Sequence, residues 1–129
     1  MQKIYNKLVR DNIPNIIQSK GEEAIVRILD DVDYKNELEK KLLEEYNEVL
    51  ESSNEQRIEE LADMLEVIRA LAKLENKTLE DVIECANAKS EKRGAFERRV
   101  FLEKVIKLWY GFLYWLPDYG LQKGTGLEL

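Results

Sequence analysis

Histidine is missing from this chain altogether, and cysteine occurs once among its 129 residues. Without histidine there is no Ser-His-Asp or Cys-His catalysis and no histidine-containing zinc site. A general base has to be Asp, Glu, Lys, Tyr or a metal-activated water. The single cysteine, Cys85, forbids an intrachain disulfide, and among helix-forming neighbours it reads as a small packed side chain. Proline occurs twice and glycine six times. That scarcity, beside abundant charged and aliphatic residues, favours helices over a β-rich fold. Long hydrophobic runs are absent too. The longest apolar stretch, in residues 105–116, contains Lys107 and is too short to span a bilayer. The N-terminus carries no basic start followed by an apolar run, so a cytoplasmic protein is expected.

Charge is what the chain has in quantity. Charged residues make up 36% of it, with 26 acidic and 20 basic side chains and a net charge of −6. That sign argues against a protein that coats nucleic acid. It does not exclude an anionic substrate, because a metal ion and a local basic cluster can reverse the field inside a site. The length suits one domain, with a modest core in a single protomer.

The pattern along the chain predicts an all-α fold. Asp11 can cap a short helix that carries Pro14 in its first turn and ends near Gly21. Residues 24–29 are β-branched and predict one short strand or an extended crossing. Asp30, Asp31 and Asp33 open a long helix over about 33–52. Ser53, with Gln56 as capping-box partner, opens the next, which runs to about Lys73. Thr78 with Asp81 opens a third, ending near Gly94. A fourth long helix is expected over about 96–116, stopped by Pro117 and Gly120. The reading is thus a bundle of four main helices plus a short N-terminal one. Residues 1–104 form its working domain, and 105–129 an aromatic C-terminal helix with a flexible tail.

Two segments stand out chemically: Glu44-Glu45-Tyr46-Asn47-Glu48 and Glu59-Glu60-Leu61-Ala62-Asp63. Carboxylates three residues apart share one face of a helix. On the second helix the apolar stripe contains Ile58, Leu61, Met64, Leu65, Val67, Ile68, Leu71 and Ala72. A helical wheel puts Glu60 inside that stripe and Asp63 at its edge. On the first helix Leu38, Leu42, Tyr46 and Val49 mark the face to be buried. Glu45 falls against it and Glu48 at its border. Carboxylates in a packed seam need protons, basic partners or cations. Four acids delivered to one seam by two helices are most simply relieved by a divalent metal. All-oxygen ligation points to magnesium, with manganese as an alternative. A seam of acids salt-bridged to Lys and Arg is the plainer reading of either pair alone.

A basic cluster follows: Lys89, Lys92, Arg93, Arg98 and Arg99 around Gly94 and Phe96. Cations at a helix C-terminus complement its dipole. They also suit phosphate, and Lys7 and Arg10 of the N-terminal arm can join them.

Glu45-x-x-Glu48 followed by Glu60-x-x-Asp63 resembles the signature of the MazG-like, all-α nucleoside triphosphate pyrophosphohydrolases. The opening Lys7-Leu8-Val9-Arg10-Asp11-Asn12-Ile13-Pro14 and the segment Lys92-Arg93-Gly94-Ala95-Phe96-Glu97-Arg98-Arg99 are similar to the phosphoribosyl-ATP pyrophosphohydrolase-like branch. The resemblance covers about residues 3–103. It implies a helical bundle completed by dimerisation, as a dimer or dimer of dimers. It implies magnesium on Glu45, Glu48, Glu60 and Asp63, and cleavage of a nucleotide to a monophosphate and pyrophosphate. On that basis Glu48 is the candidate general base. Lys7, Arg10, Lys89, Lys92, Arg93 and Arg99 are the candidate substrate-binding cations. Hydrolysis of phosphoribosyl-ATP in histidine synthesis is one alternative, and a non-enzymatic helical interaction dimer is another. The spacer between the acidic pairs is short for the family. The aromatic tail (Trp109, Tyr110, Phe112, Tyr114 and Trp115) has no counterpart in it and reads as core or interface packing.

Overall fold

A computed structural model describes residues 1–108. These residues form four α-helices, α1 (Ile13–Ser19), α2 (Asp31–Glu51), α3 (Asn54–Leu74) and α4 (Leu79–Arg93), and contain no strand. The fold is an all-α helical bundle. No helix of the described residues is long and apolar enough to cross a membrane.

Local chemistry sets most helix ends. Asp30 caps α2, its Oδ1 accepting from the Asp33 N–H at 2.8 Å, and Asp31 and Asp33 complement the dipole in the first turn. Thr78 and Asp81 form the reciprocal capping box that opens α4. The Asp81 N–H donates to Thr78 Oγ1 (3.1 Å) and the Thr78 N–H to Asp81 Oδ2 (2.8 Å). Between α3 and α4, Asn76 takes a left-handed φ of 58°. The Asn76 N–H then reaches the Lys73 carbonyl and the Lys77 N–H the Ala72 carbonyl, which satisfies the last carbonyls of α3. Gly94, at φ 82°, ends α4.

Several expectations need correction. Ser53 precedes α3 but makes no side-chain cap bond, so the Ser53–Gln56 box does not form. Asn54, the first helical residue, is left-handed (φ 53°), and that entry angle takes the Ser53 hydroxyl out of line with the amides it would cap. Asp11 does not cap α1, whose N-cap is Asn12 with no side-chain cap bond. Residues 24–29 form no strand, which leaves the extended crossing as the reading of that segment. The helix expected from residue 96 is not formed in 96–108. Phe96, Val100, Phe101, Leu102, Val105 and Ile106 are exposed there, and an apolar stretch that buries so little gains too little to stay helical. The aromatic residues from Trp109 onward lie outside the described residues. By its internal contacts the chain divides into two units, Met1–Gly94 and Ala95–Leu129.

Within the first unit, α2 and α3 are joined only by Ser52 and Ser53 and pack against each other as an antiparallel hairpin. Ser52 is buried, its hydroxyl donating to the Val49 carbonyl and its own carbonyl accepting from Arg57 Nε, each at 3.1 Å. The buried apolar side chains are Leu38 of α2, Val67 and Ala72 of α3 and Leu79 of α4. Leu42 and Val49 are half-buried, but Tyr46 is exposed. On α3 the stripe is only partly covered: Ile58, Leu61 and Leu65 face solvent. Leu61, Ala62, Met64, Leu65 and Ile68 line a shallow apolar groove of about 360 Å³.

Candidate metal centre

The hairpin fixes which acids can meet. Glu45 lies seven residues before Ser52, and Glu60 lies seven residues after Ser53. At a rise of about 1.5 Å per residue both sit at the same level, on the order of 11 Å from the turn. Asp63 lies one turn further from the connection, and Glu48 one turn nearer to it. Along the hairpin axis Glu48 and Asp63 are therefore roughly 9 Å apart, with Glu45 and Glu60 between them.

Side-chain positions follow that arithmetic. One carboxylate oxygen each from Glu45, Glu60 and Asp63 lie within 4.8 Å of one another. Glu45 is buried, with 8% of its surface exposed, while Glu60 and Asp63 are half-buried. Glu48 is exposed and stands outside this trio, yet close enough to act on Glu60. The Glu60 carboxyl is pushed above its ordinary value of 4.5. Desolvation is the largest cause, followed by the negative charges of Glu48, Asp63, Glu45 and Glu59.

Cations approach from two directions. Lys41, one turn before Glu45, places its Nζ 3.5 Å from both Glu44 Oε2 and Glu45 Oε1. From the N-terminal arm, Arg10 Nη2 pairs with Asp63 Oδ1, and Lys7 Nζ is 3.3 Å from Glu44 Oε1. No cation among the described residues pairs with Glu48 or Glu60. Glu45 and Asp63 of the trio each have a cation, while Glu60 has none and also feels the charges of Glu48 and Glu59, so negative charge exceeds positive around Glu60.

The donor set suits a hard divalent ion. Oxygens opposite each other in a magnesium shell are about 4.2 Å apart, twice a bond of about 2.1 Å. Adjacent ones are about 3.0 Å apart, and three donors on one ion include at least two adjacent pairs, so the trio, now within 4.8 Å of one another, would draw closer to share an ion. Residual charge, all-oxygen donors and the absence of histidine agree with magnesium or manganese over zinc.

Two contributors were not singled out from the sequence. Glu44 takes both Lys7 and Lys41, and Lys41 partly neutralises Glu45. The Lys41 pairings were readable as three- and four-residue spacings on one helix. Of the candidate phosphate-binding cations, Lys7 and Arg10 are seated on the seam's acids. Lys89, Lys92 and Arg93 occupy the exposed C-terminal part of α4, where Lys92 and Arg93 complement its dipole. Arg99, with a left-handed φ of 57°, belongs to the unit that starts at Ala95. Comparisons of the chain with protein families, with curated proteins and with solved structures give no match.

Proposed function

We propose that this chain is a magnesium-dependent nucleotide pyrophosphohydrolase of the MazG-like kind, cleaving the α–β phosphoanhydride to release a monophosphate and pyrophosphate. One observation carries the reading: Glu45, Glu60 and Asp63, from two helices, converge within ion-binding reach in a seam short of positive charge. These three would hold the ion, with manganese as a substitute. Magnesium there would neutralise phosphate charge and lower the pKa of an attacking water. Glu48, exposed and outside the trio, is free to take a proton from that water. Arg10 would steady the outer phosphates while Lys7 holds the arm on Glu44, and Lys89, Lys92 and Arg93 would attract the ligand's anionic end.

The same reading takes the working form to be a homo-oligomer. Among the described residues four buried apolar side chains are a thin core for two 21-residue helices, while Ile58, Leu61 and Leu65 of α3 and Leu43 and Leu50 of α2 stay exposed. A second copy presents matching apolar faces, and light scattering at several concentrations reads the association directly.

The test of function is product release from a panel of canonical, damaged and phosphoribosylated nucleotides, with magnesium and with chelator. Pyrophosphate should appear only with magnesium. Turnover in phosphoribosyl-ATP alone would assign the chain to histidine synthesis. Undiminished activity in Glu60→Gln or Asp63→Asn would sink the ligand assignment. A second reading, a helical interaction module, draws support from the Arg10–Asp63 and Lys41–Glu45 ion pairs. It requires that no nucleotide be turned over.

A further inference from the structure

The stretch before α1 carries two cations three residues apart, and both are docked on acids of the hairpin. Lys7 meets Glu44 of α2, and Arg10 meets Asp63 of α3. The arm therefore ties the two helices together. Leu8 and Val9, between the cations, are half-buried. Asn6, left-handed at φ 45°, bends the chain just before them. The Ile13 N–H bonds the Arg10 carbonyl at 3.0 Å and turns it just after. A short segment bounded by two bends is thus fixed at one end to α2 and at the other to α3.

Only one of these two acids belongs to the converging trio. Asp63 is shared between the arm and the candidate centre, whereas Glu44 is not. A guanidinium and a divalent ion compete for the same carboxylate charge. The Arg10–Asp63 pair is half-exposed, so the bond is weak enough to exchange. The Lys7–Glu44 pair lies outside that competition and can keep the arm in place.

We propose that residues 7–10 form a strap displaced by cation binding. This rests on the reading of the trio as a divalent-metal centre. When the ion takes Asp63, Arg10 is released while Lys7 stays on Glu44. The freed guanidinium then remains within one side-chain length of the centre. Its planar fork suits the phosphate oxygens of a ligand that reaches the same ion. Arg10 is thereby a positioning residue that exchanges a carboxylate partner for a phosphate one.

Calorimetric titration of magnesium alone, into the full chain, tests the exchange without any turnover. Arg10→Gln should bind magnesium about two- to five-fold more tightly than the parent, the size expected for removing one exposed competing cation. Lys40→Gln removes the same charge from a pair with Glu37 elsewhere on α2 and should leave the affinity unchanged. With magnesium present, a non-hydrolysable nucleoside triphosphate analogue should bind more weakly to Arg10→Gln, and Arg10→Lys should fall between. Unchanged or weaker magnesium binding by Arg10→Gln overturns the strap and leaves the centre standing. Unchanged analogue binding overturns the handover to phosphate. No magnesium uptake by the parent chain overturns strap and centre together.

Discussion

Glu60→Gln should stabilise the protein in chelator and remove most of the stabilisation that magnesium gives. The raised pKa of Glu60 fixes the first sign. Desolvation and four neighbouring acids disfavour its charged form in the folded chain, so the folded state binds that proton more tightly than the unfolded one. Above the folded pKa the group is a constant penalty. The penalty is relieved as pH falls through the folded value and on to the ordinary one, 4.5. A neutral amide at position 60 removes it, so the melting temperature at pH 7 in chelator should rise. Magnesium removes it differently, by supplying positive charge that Lys7, Arg10 and Lys41 do not bring to Glu60. An ion at a hundred times its dissociation constant stabilises by about 2.7 kcal/mol. For a domain of this size that raises the melting temperature by roughly 10–20 °C. Differential scanning fluorimetry with magnesium, with chelator and with sodium at matched ionic strength separates site binding from screening. Equal magnesium shifts in parent and Glu60→Gln, or a lower melting temperature for the variant in chelator, would refute the reasoning.

Two further outcomes follow from the packing and the caps. Leu38→Ala, at the most buried apolar position, should cost about 2–5 kcal/mol, enough to unfold much of a chain whose core is this small; chemical denaturation measures it. Thr78→Ala should cost about 1 kcal/mol at neutral pH by opening the α4 capping box. Hydrogen bonds from the Thr78 backbone N–H and then its hydroxyl hold the Asp81 carboxyl below its ordinary value of 3.8. The hydroxyl's share of that contribution is complete above 3.8 and lost as pH falls through the lower folded value, so the gap between urea melts of parent and variant should narrow in strong acid to what the bond from the Asp81 N–H to Thr78 Oγ1 supplies.

What the sequence discloses here depends on how far each interaction reaches along the chain. The Asp30–Asp33 cap, the Thr78–Asp81 box and the Gly94 stop involve residues at most four apart, and their chemistry could be read directly. The Lys41–Glu45 pair is equally local, but attention to the acids alone passed over it. The Arg10–Asp63 pair spans 53 residues and has no local signature. A helical wheel locates apolar residues without saying what covers them. It therefore placed Leu61 and Leu65 in the stripe correctly and could not show that they stay exposed. The same limit explains residues 96–108, where apolar residues at helical spacing stay exposed and form no helix. For Ser53, the capping pattern was present, and the left-handed backbone at Asn54 defeated it.

The hairpin also explains why the short spacer suits a site. With only Ser52 and Ser53 between the helices, equal numbers of residues separate Glu45 and Glu60 from the turn, and they come level. Each helix repeats a carboxylate after three residues, but in opposite directions, so Asp63 and Glu48 flank the level pair on opposite sides along the axis. The reflection sets Glu48 and Asp63 at equal distances from the level pair, and the side-chain positions then bring Asp63 into the trio and leave Glu48 outside it. Glu60 lies at the middle of this arrangement and has no cation partner among the described residues, although Arg10 and Lys41 pair with Asp63 and Glu45. A seam that served only to join two helices would be more stable with a neutral side chain there. The uncompensated charge at Glu60 is therefore what favours a centre for a divalent ion over a purely adhesive interface.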